Sequence, residues 1–399
     1  TPVCRPSWVG AWHASPSLYT GRLAGPLSMD PQADDGAVPS LSGRTVRMVV
    51  TPHASGSSLR ITMSNRYGAS PLRLGLVTVG HQAEGASVVG STMRPVTFGG
   101  RTTASVPAGG QLRSDPVTLG AIAGRPLAIT VFVRSADTSV TRHVDTRRTS
   151  YVSDANTAAD PAAAPFTTAT QSTFYLTGLD VLAPTRVNTV AVVGDSITDG
   201  TGTTLDADRR WTDFLQGRLD TSAPTQRMSV VNAAISGNQL MTDRVFFHGS
   251  SALSRLSWDL APIAGLTDVI LHEGTNDIAL RTPARGAASI IAGMRRFAAA
   301  AHGLGLRAHI TTITPTTFQN HGTPRAVAIR NAVNNWIRSQ GTQVFDGVFD
   351  LAAAVSHPGN AAALYPDYDS GDQLHISDAG QAQLANAVDI NALTGSRCR

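Results

Sequence analysis

The stretch Val190-Ala191-Val192-Val193-Gly194-Asp195-Ser196-Ile197-Thr198-Asp199-Gly200 decides how the chain is read. It opens as an unbroken apolar run, the pattern of a parallel strand covered on both faces. The run stops at Gly194-Asp195-Ser196, so a hydroxyl follows directly on a buried strand. Open α/β sheets place their ligand crevices at the carboxyl ends of the strands. Ser196 is therefore a candidate nucleophile, and Asp195 a candidate support of the turn that presents it.

Downstream the arrangement recurs. Apolar runs at 228–234, 268–273, 307–313 and 344–349 alternate with helical spacing at 210–219, 285–302, 324–339 and 377–390. Strands alternating with helices predict a parallel sheet with helices on both faces. Polar clusters stand beside these elements: Ser236-Gly237-Asn238, Gly274-Thr275-Asn276-Asp277 and Asp372-Gln373-Leu374-His375. Their common position past strand ends argues that they converge.

Upstream the period is different. Residues 45–50 and 59–64 alternate with period 2, and further strand-like runs occupy 74–79, 126–133 and 172–176. Turn clusters such as Asn65-Arg66-Tyr67-Gly68 and Pro107-Ala108-Gly109-Gly110 separate them. Many short strands with this punctuation predict an all-β sandwich or jelly-roll-like domain. The Ala-, Thr- and Pro-rich stretch 153–170 reads as an exposed loop. At 399 residues two domains are expected, 1–185 and 186–399. Trp8, Trp12, Tyr19 and Tyr67 are read as core packing in preference to a sugar or lipid groove.

Composition narrows the function classes. All 32 basic side chains are Arg, and among the acids only Glu84 and Glu273 are Glu. Lysine chemistry is thereby excluded. The net charge of +4 is spread along the chain without a dense basic cluster, which argues against a nucleic-acid partner. No apolar run is long enough for a transmembrane helix. The chain begins at Thr1 without a leader, which is read as the mature form of a secreted protein. In an oxidising compartment Cys4 and Cys398, one near each end, are expected to pair as a disulfide.

Acyl transfer through a serine needs a base, a group that orients the base, and donors for the oxyanion. His375, with Asp372 three residues earlier, fits the first two roles; Asp369 and Asp378 are rival orienters. The Ser196 amide, the Gly237 amide and the Asn276 side chain are available as oxyanion donors. A plain turn glycine and a turn-forming asparagine are the alternatives at 237 and 276. His272 and His309 fall within strands and are read as packed. His302, His321 and His357 are read as solvated, and His143 and His248 stay open as pocket residues. No phosphate-binding glycine motif is present.

Taken together, Gly194-Asp195-Ser196, Gly237, Gly-x-Asn at 274–276 and Asp-x-x-His at 372–375 resemble the SGNH, or GDSL, hydrolase superfamily. The resemblance covers about 186–399. It implies a flavodoxin-like α/β/α sandwich with Ser196 as nucleophile, His375 as base, Asp372 as its orienter, and Ser196, Gly237 and Asn276 as the oxyanion hole. The β-rich half resembles the region ahead of the hydrolase domain in some secreted bacterial members. The expected function is a secreted serine hydrolase, monomeric and without metal or organic cofactor. It would cleave lipid, phospholipid or small acyl esters. A polysaccharide deacetylase is the alternative within the same chemistry, and a non-catalytic adhesion protein on a hydrolase scaffold the alternative outside it.

Overall fold

A computed structural model describes residues 5–20, 40–280 and 285–396. The chain divides into two compact units, Arg5–Thr185 with Leu205–Ala207, and Arg186–Thr204 with the residues from Asp208 on. The three-residue excursion at 205–207 has no counterpart in the sequence pattern. Cys4 and Cys398 lie outside the described residues.

The second unit is built on five parallel strands: β1 (Asn188–Gly194), β2 (Met228–Ala234), β3 (Leu266–His272), β4 (Arg307–Thr311) and β5 (Gly347–Phe349). Their order in the sheet is β2-β1-β3-β4-β5, so the strand order reverses beside β1. Crevices in such sheets form where the order reverses. The alternation of β1 sorts the core. Val190 and Val192 pack with Trp211, Leu215 and Leu384 on one face. Ala191 and Val193 pack with Ile290, Phe297, Val333 and Ile337 on the other. Burying each such valine or leucine contributes roughly 1.5–3 kcal/mol, so a register slip by one residue is strongly disfavoured.

The covering helices are α2 (Trp211–Asp220) and α6 (Asp378–Asn386) on the first face, and α4 (Ala287–Gly303) and α5 (Pro324–Gln340) on the second. Two short helices, α1 (Ser196–Asp199) and α3 (Thr275–Ala279), follow β1 and β3 directly. Local chemistry sets their starts. Thr323 caps α5 through Ala326 N–H and Pro324 takes its first turn; Ser377 caps α6 through Gly380 N–H. The last strand is shorter than the sequence predicts, because 344–346 complete the turn that follows a 3-10 helix at Gly341–Gln343, the amides of Val344 and Phe345 both donating to Gly341 O.

The first unit is all-β among its described residues apart from one 3-10 turn at Gly90–Thr92. A four-stranded sheet orders Ser7–His13, Leu176–Ala183, Leu59–Ser64 and Gln111–Arg113. A larger sheet centres on Arg44–Val50, Leu127–Ser135 and Leu72–Glu84, all antiparallel. Stretch 153–170 is largely the exposed loop that its composition predicts, but Ala158 and Phe166 are buried and 168–170 forms an edge strand. The reason is Arg47, fully buried in a central strand. Its guanidinium donates to the carbonyls of Ala86 and Asp160 and stacks on Phe166 at 4.1 Å. A buried guanidinium must find acceptors, and this segment supplies them. Trp12 and Tyr19 are buried, and Trp8 packs under Arg60 at 4.3 Å.

Candidate active site

Ser196 is the first residue of α1. Asp195 caps that helix, its carboxylate accepting from Ile197 N–H at 2.9 Å. The first N–H of a helix has no acceptor within it, so the Ser196 amide faces outward beside its own hydroxyl. The turn is clasped from behind. Trp211 Nε1 donates to Thr198 Oγ1 at 3.0 Å, and Thr198 in turn donates to His272 Nδ1 at 2.9 Å. Burial lowers the His272 pKa to about 4, so the ring is neutral and can accept. Gln381 from α6 donates to Ile197 O at 2.9 Å and accepts from Trp211 N at 2.7 Å. Trp211 thus supports the turn from the core, while Arg210 pairs with Asp213 at 3.0 Å.

His375 Nε2 stands 2.9 Å from Ser196 Oγ, and its Nδ1 stands 2.5 Å from Asp372 Oδ2. The other Asp372 oxygen accepts from the amides of Leu374 and His375, at 2.9 and 2.7 Å. Partial burial opposes the charge on Asp372, but the His375 ring and these two amides outweigh it and hold the carboxyl well below its usual range. The turn is tight enough to force Gln373 to φ 68°, a left-handed value that side chains rarely adopt. The rivals are elsewhere: Asp369 accepts from Gly371 and Gln373 amides, and Asp378 binds Thr204.

Asp199 fixes the second cluster by accepting from Ser236 N–H at 3.0 Å. Gly237 has φ 76°, and a Cβ there would stand 2.0 Å from His248 Nδ1, so only glycine fits. His248 Nδ1 donates to Ser236 O at 2.9 Å, which makes it a brace of the turn. Asn238 is fully buried and donates to the carbonyls of His248 and Ser250. Asn276, in α3, donates through Nδ2 to Asn238 O at 3.0 Å. Asp277 ties α3 to the same segment through Leu240 N–H at 2.8 Å.

His321 is buried, contrary to its solvated reading, and its Nε2 lies 3.2 Å from Asn276 Oδ1. Burial, followed by the nearby His375 and Arg330, lowers its pKa to about 4. The ring is neutral near pH 7 and donates to the Asn276 carbonyl. Buried Arg330 on α5 holds this segment by donating to His321 O at 3.0 Å and Thr316 O at 3.1 Å. No spacing in the sequence marks His321; its segment has no regular period and is placed by tertiary contacts. His143 stays in the first unit, bonded to Ser15 O at 2.7 Å.

Behind the nucleophile lies a cluster of acids. Burial raises the Asp195 pKa to about 7, with Asp277 and Asp199 adding to it against the Ile197 amide and His375. Glu273 is buried with neither carboxyl oxygen hydrogen-bonded, and burial with Asp195 and Asp277 beside it raises its pKa well above the usual value. Among the described residues no group of three or more His, Cys, Asp or Glu is placed to hold a metal ion, and no helix is long and apolar enough to cross a membrane. The arrangement can move a proton from a hydroxyl to a ring whose other nitrogen faces a carboxylate, with amide donors nearby.

Residues 192–383 match the family model described as GDSL-like Lipase/Acylhydrolase family. No curated protein matches the chain. Among solved structures, a carbohydrate acetylesterase from Sinorhizobium meliloti is 19% identical with a TM-score of 0.39, covering 50% of this chain and 95% of its own. An aryl esterase from M. smegmatis is 21% identical with a TM-score of 0.39, over 50% and 96%. A GDSL-like lipase from Bacteroides thetaiotaomicron is 18% identical with a TM-score of 0.37, over 50% and 85%.

Proposed function

The chain belongs to the SGNH/GDSL hydrolases through its GDSL-like lipase/acylhydrolase domain at residues 192–383 and is a carboxylic ester hydrolase; on that premise we propose that Ser196 carries the acyl group. The observation behind this reading is the continuous path from Asp372 through His375 to Ser196 Oγ, at 2.5 and 2.9 Å. Ser196 Oγ attacks the ester carbonyl while His375 Nε2 takes its proton. Asp372 holds the ring in the tautomer with hydrogen on Nδ1 and stabilises the imidazolium. The carbonyl oxygen becomes an oxyanion received by the Ser196 and Gly237 amides and Asn276 Nδ2. His375 returns the proton to the departing alkoxide. Water, deprotonated by the same ring, then attacks the acyl-enzyme and releases the acid, restoring Ser196.

The proposed substrates are lipid or small acyl esters. Removal of acetyl groups from a polysaccharide is the second reading, and it shares every step of this chemistry. Secretion, a monomeric state, a Cys4–Cys398 disulfide and a jelly-roll-like arrangement of the first unit belong to the same proposal. The antiparallel sheets of that unit support the last of these.

A fluorophosphonate probe tests the proposal. Peptide mapping is expected to find one adduct, on Ser196, that His375→Ala slows strongly. An adduct on another serine would overturn it. A panel of p-nitrophenyl acetate, butyrate and decanoate with phospholipid and acetylated xylan then separates the substrate readings; release from xylan with no turnover of longer esters favours the second.

A further inference from the structure

The first unit holds a basic groove whose lining includes none of the residues assigned to the ester chemistry. It encloses about 490 Å³, within the size range of ligand sites, and Arg73, Arg101, Arg113 and Arg134 line it with Phe98 and Leu112. No carboxylate is among its described lining residues. The four arginines come from four separate segments: strand Leu72–Glu84, the turn at 98–101, strand Gln111–Arg113 and strand Leu127–Ser135. Arg113 lies 3.7 Å from Asp180, whose closer partner is Arg60 at 2.8 Å. The side chains of Arg73, Arg101 and Arg134 have no ion-pair or hydrogen-bond partner among the described residues.

The groove is also shaped in advance. Asp115 spends its carboxylate on the turn that carries Phe98 and Arg101, accepting from Gly99 N–H at 3.1 Å, Gly100 N–H at 2.8 Å and Thr97 Oγ1 at 2.7 Å. Gly75 leaves room beside its strand: a Cβ there would stand 2.5 Å from the Phe132 ring and 3.2 Å from the Arg134 stem. Like charges gathered in a concave site repel one another, and an anion relieves that repulsion. The guanidinium fork matches carboxylate geometry in a way that an ammonium does not.

We propose that this groove binds an acidic polysaccharide, the four arginines taking carboxylates spaced along the glycan chain and Phe98 packing on a sugar face. One small anion would engage only part of a site fed from four segments. A membrane surface fits poorly, because the groove is concave and none of the exposed large apolar residues lines it. Single-stranded nucleic acid is bound on successive aromatic platforms, and here there is one ring.

The test is affinity electrophoresis of the full chain in gels containing polygalacturonate, with dextran, a thymidine 20-mer and phosphatidylglycerol vesicles as comparison probes. Polygalacturonate carries no ester, so hydrolysis does not enter the readout. Retardation by polygalacturonate alone is expected, weakening with added salt. The pair Arg101→Gln with Arg134→Gln should weaken it roughly a hundredfold, each lost charge-assisted contact being worth about tenfold. The pair Arg94→Gln with Arg125→Gln, also exposed but outside the groove, should leave it unchanged. Turnover of p-nitrophenyl acetate should be the same in the wild type and both paired variants, which shows each to be folded. No retardation by polygalacturonate would overturn the proposal. So would equal loss in the two pairs, or tighter binding to the oligonucleotide, the vesicles or dextran.

Discussion

His321 Nε2 and Asn276 Oδ1 lie 3.2 Å apart, on the side of the Asn276 amide opposite its bond to Asn238 O. The two contacts together fix the amide plane. One Nδ2 hydrogen is committed to Asn238 and the other is left for a developing oxyanion. His321 is thus a positioning residue that acts through Asn276. Replacing Asn276 by Ala is expected to lower kcat by roughly 10²–10³-fold, the usual cost of one oxyanion donor. His321→Ala should lower kcat by roughly 2–13-fold with KM little changed, as expected for one neutral hydrogen bond. His321→Gln, which retains a donor, should recover part of it. In the Asn276→Ala background the His321 effect should vanish, and a persisting loss would mean that His321 acts on overall packing instead.

The choice among three acids near His375 gives a second prediction. Asp372→Asn should cost roughly two to four orders of magnitude in kcat, because the ring loses both its tautomer and the charge beside it. Asp378→Asn, whose partner is Thr204, should change kcat by less than roughly threefold, as for a site with no contact to the reacting groups. Steady-state rates on one small ester compare the two. Equal losses would remove Asp372 from its role.

Buried acids behind the nucleophile make a prediction about pH. Carboxyls in an unfolded chain titrate near about 4. In the fold, Asp195 is raised to about 7 and Glu273 is raised as well. Their contribution to stability is therefore fully present below about pH 4 and is lost as pH rises through the folded values, since the fold keeps protons that the unfolded chain releases. His272 and His321 are depressed, so their contribution runs the other way and is lost as pH falls below about 6.5. A difference measurement separates the two. Glu273→Gln keeps the shape without the charge, and its Tm relative to wild type should grow between pH 5 and pH 8. A difference that stays flat would show that Glu273 is not held protonated.

Much of the second unit was legible because polar clusters there follow apolar runs at once. β1 and Ser196, β3 and Asn276, and the turn before α6 are read from short windows, where strand period and turn chemistry agree. The pairing of His375 with Asp372 was legible as a three-residue spacing. What excluded Asp369 and Asp378 was not, since it depends on the left-handed backbone at Gln373 and on a partner as distant as Thr204. His321 was misread for a similar reason: its loop has no period, and Arg330 on another element holds it down. In the first unit the alternation at 45–50 marks a strand but does not show that Arg47 is buried. The strand is central, so its polar side is covered too, and a distant segment was drawn in to satisfy the guanidinium.

The central claim is that Ser196 is the nucleophile. Its most direct test is the initial rate of p-nitrophenyl acetate hydrolysis by the wild type and by Ser196→Ala at equal concentration. The wild type should turn over well above the uncatalysed rate while Ser196→Ala, with unchanged Tm, falls to within the roughly 10³–10⁴-fold residue that binding and oxyanion donors alone provide over water. Equal turnover by the two proteins would contradict it.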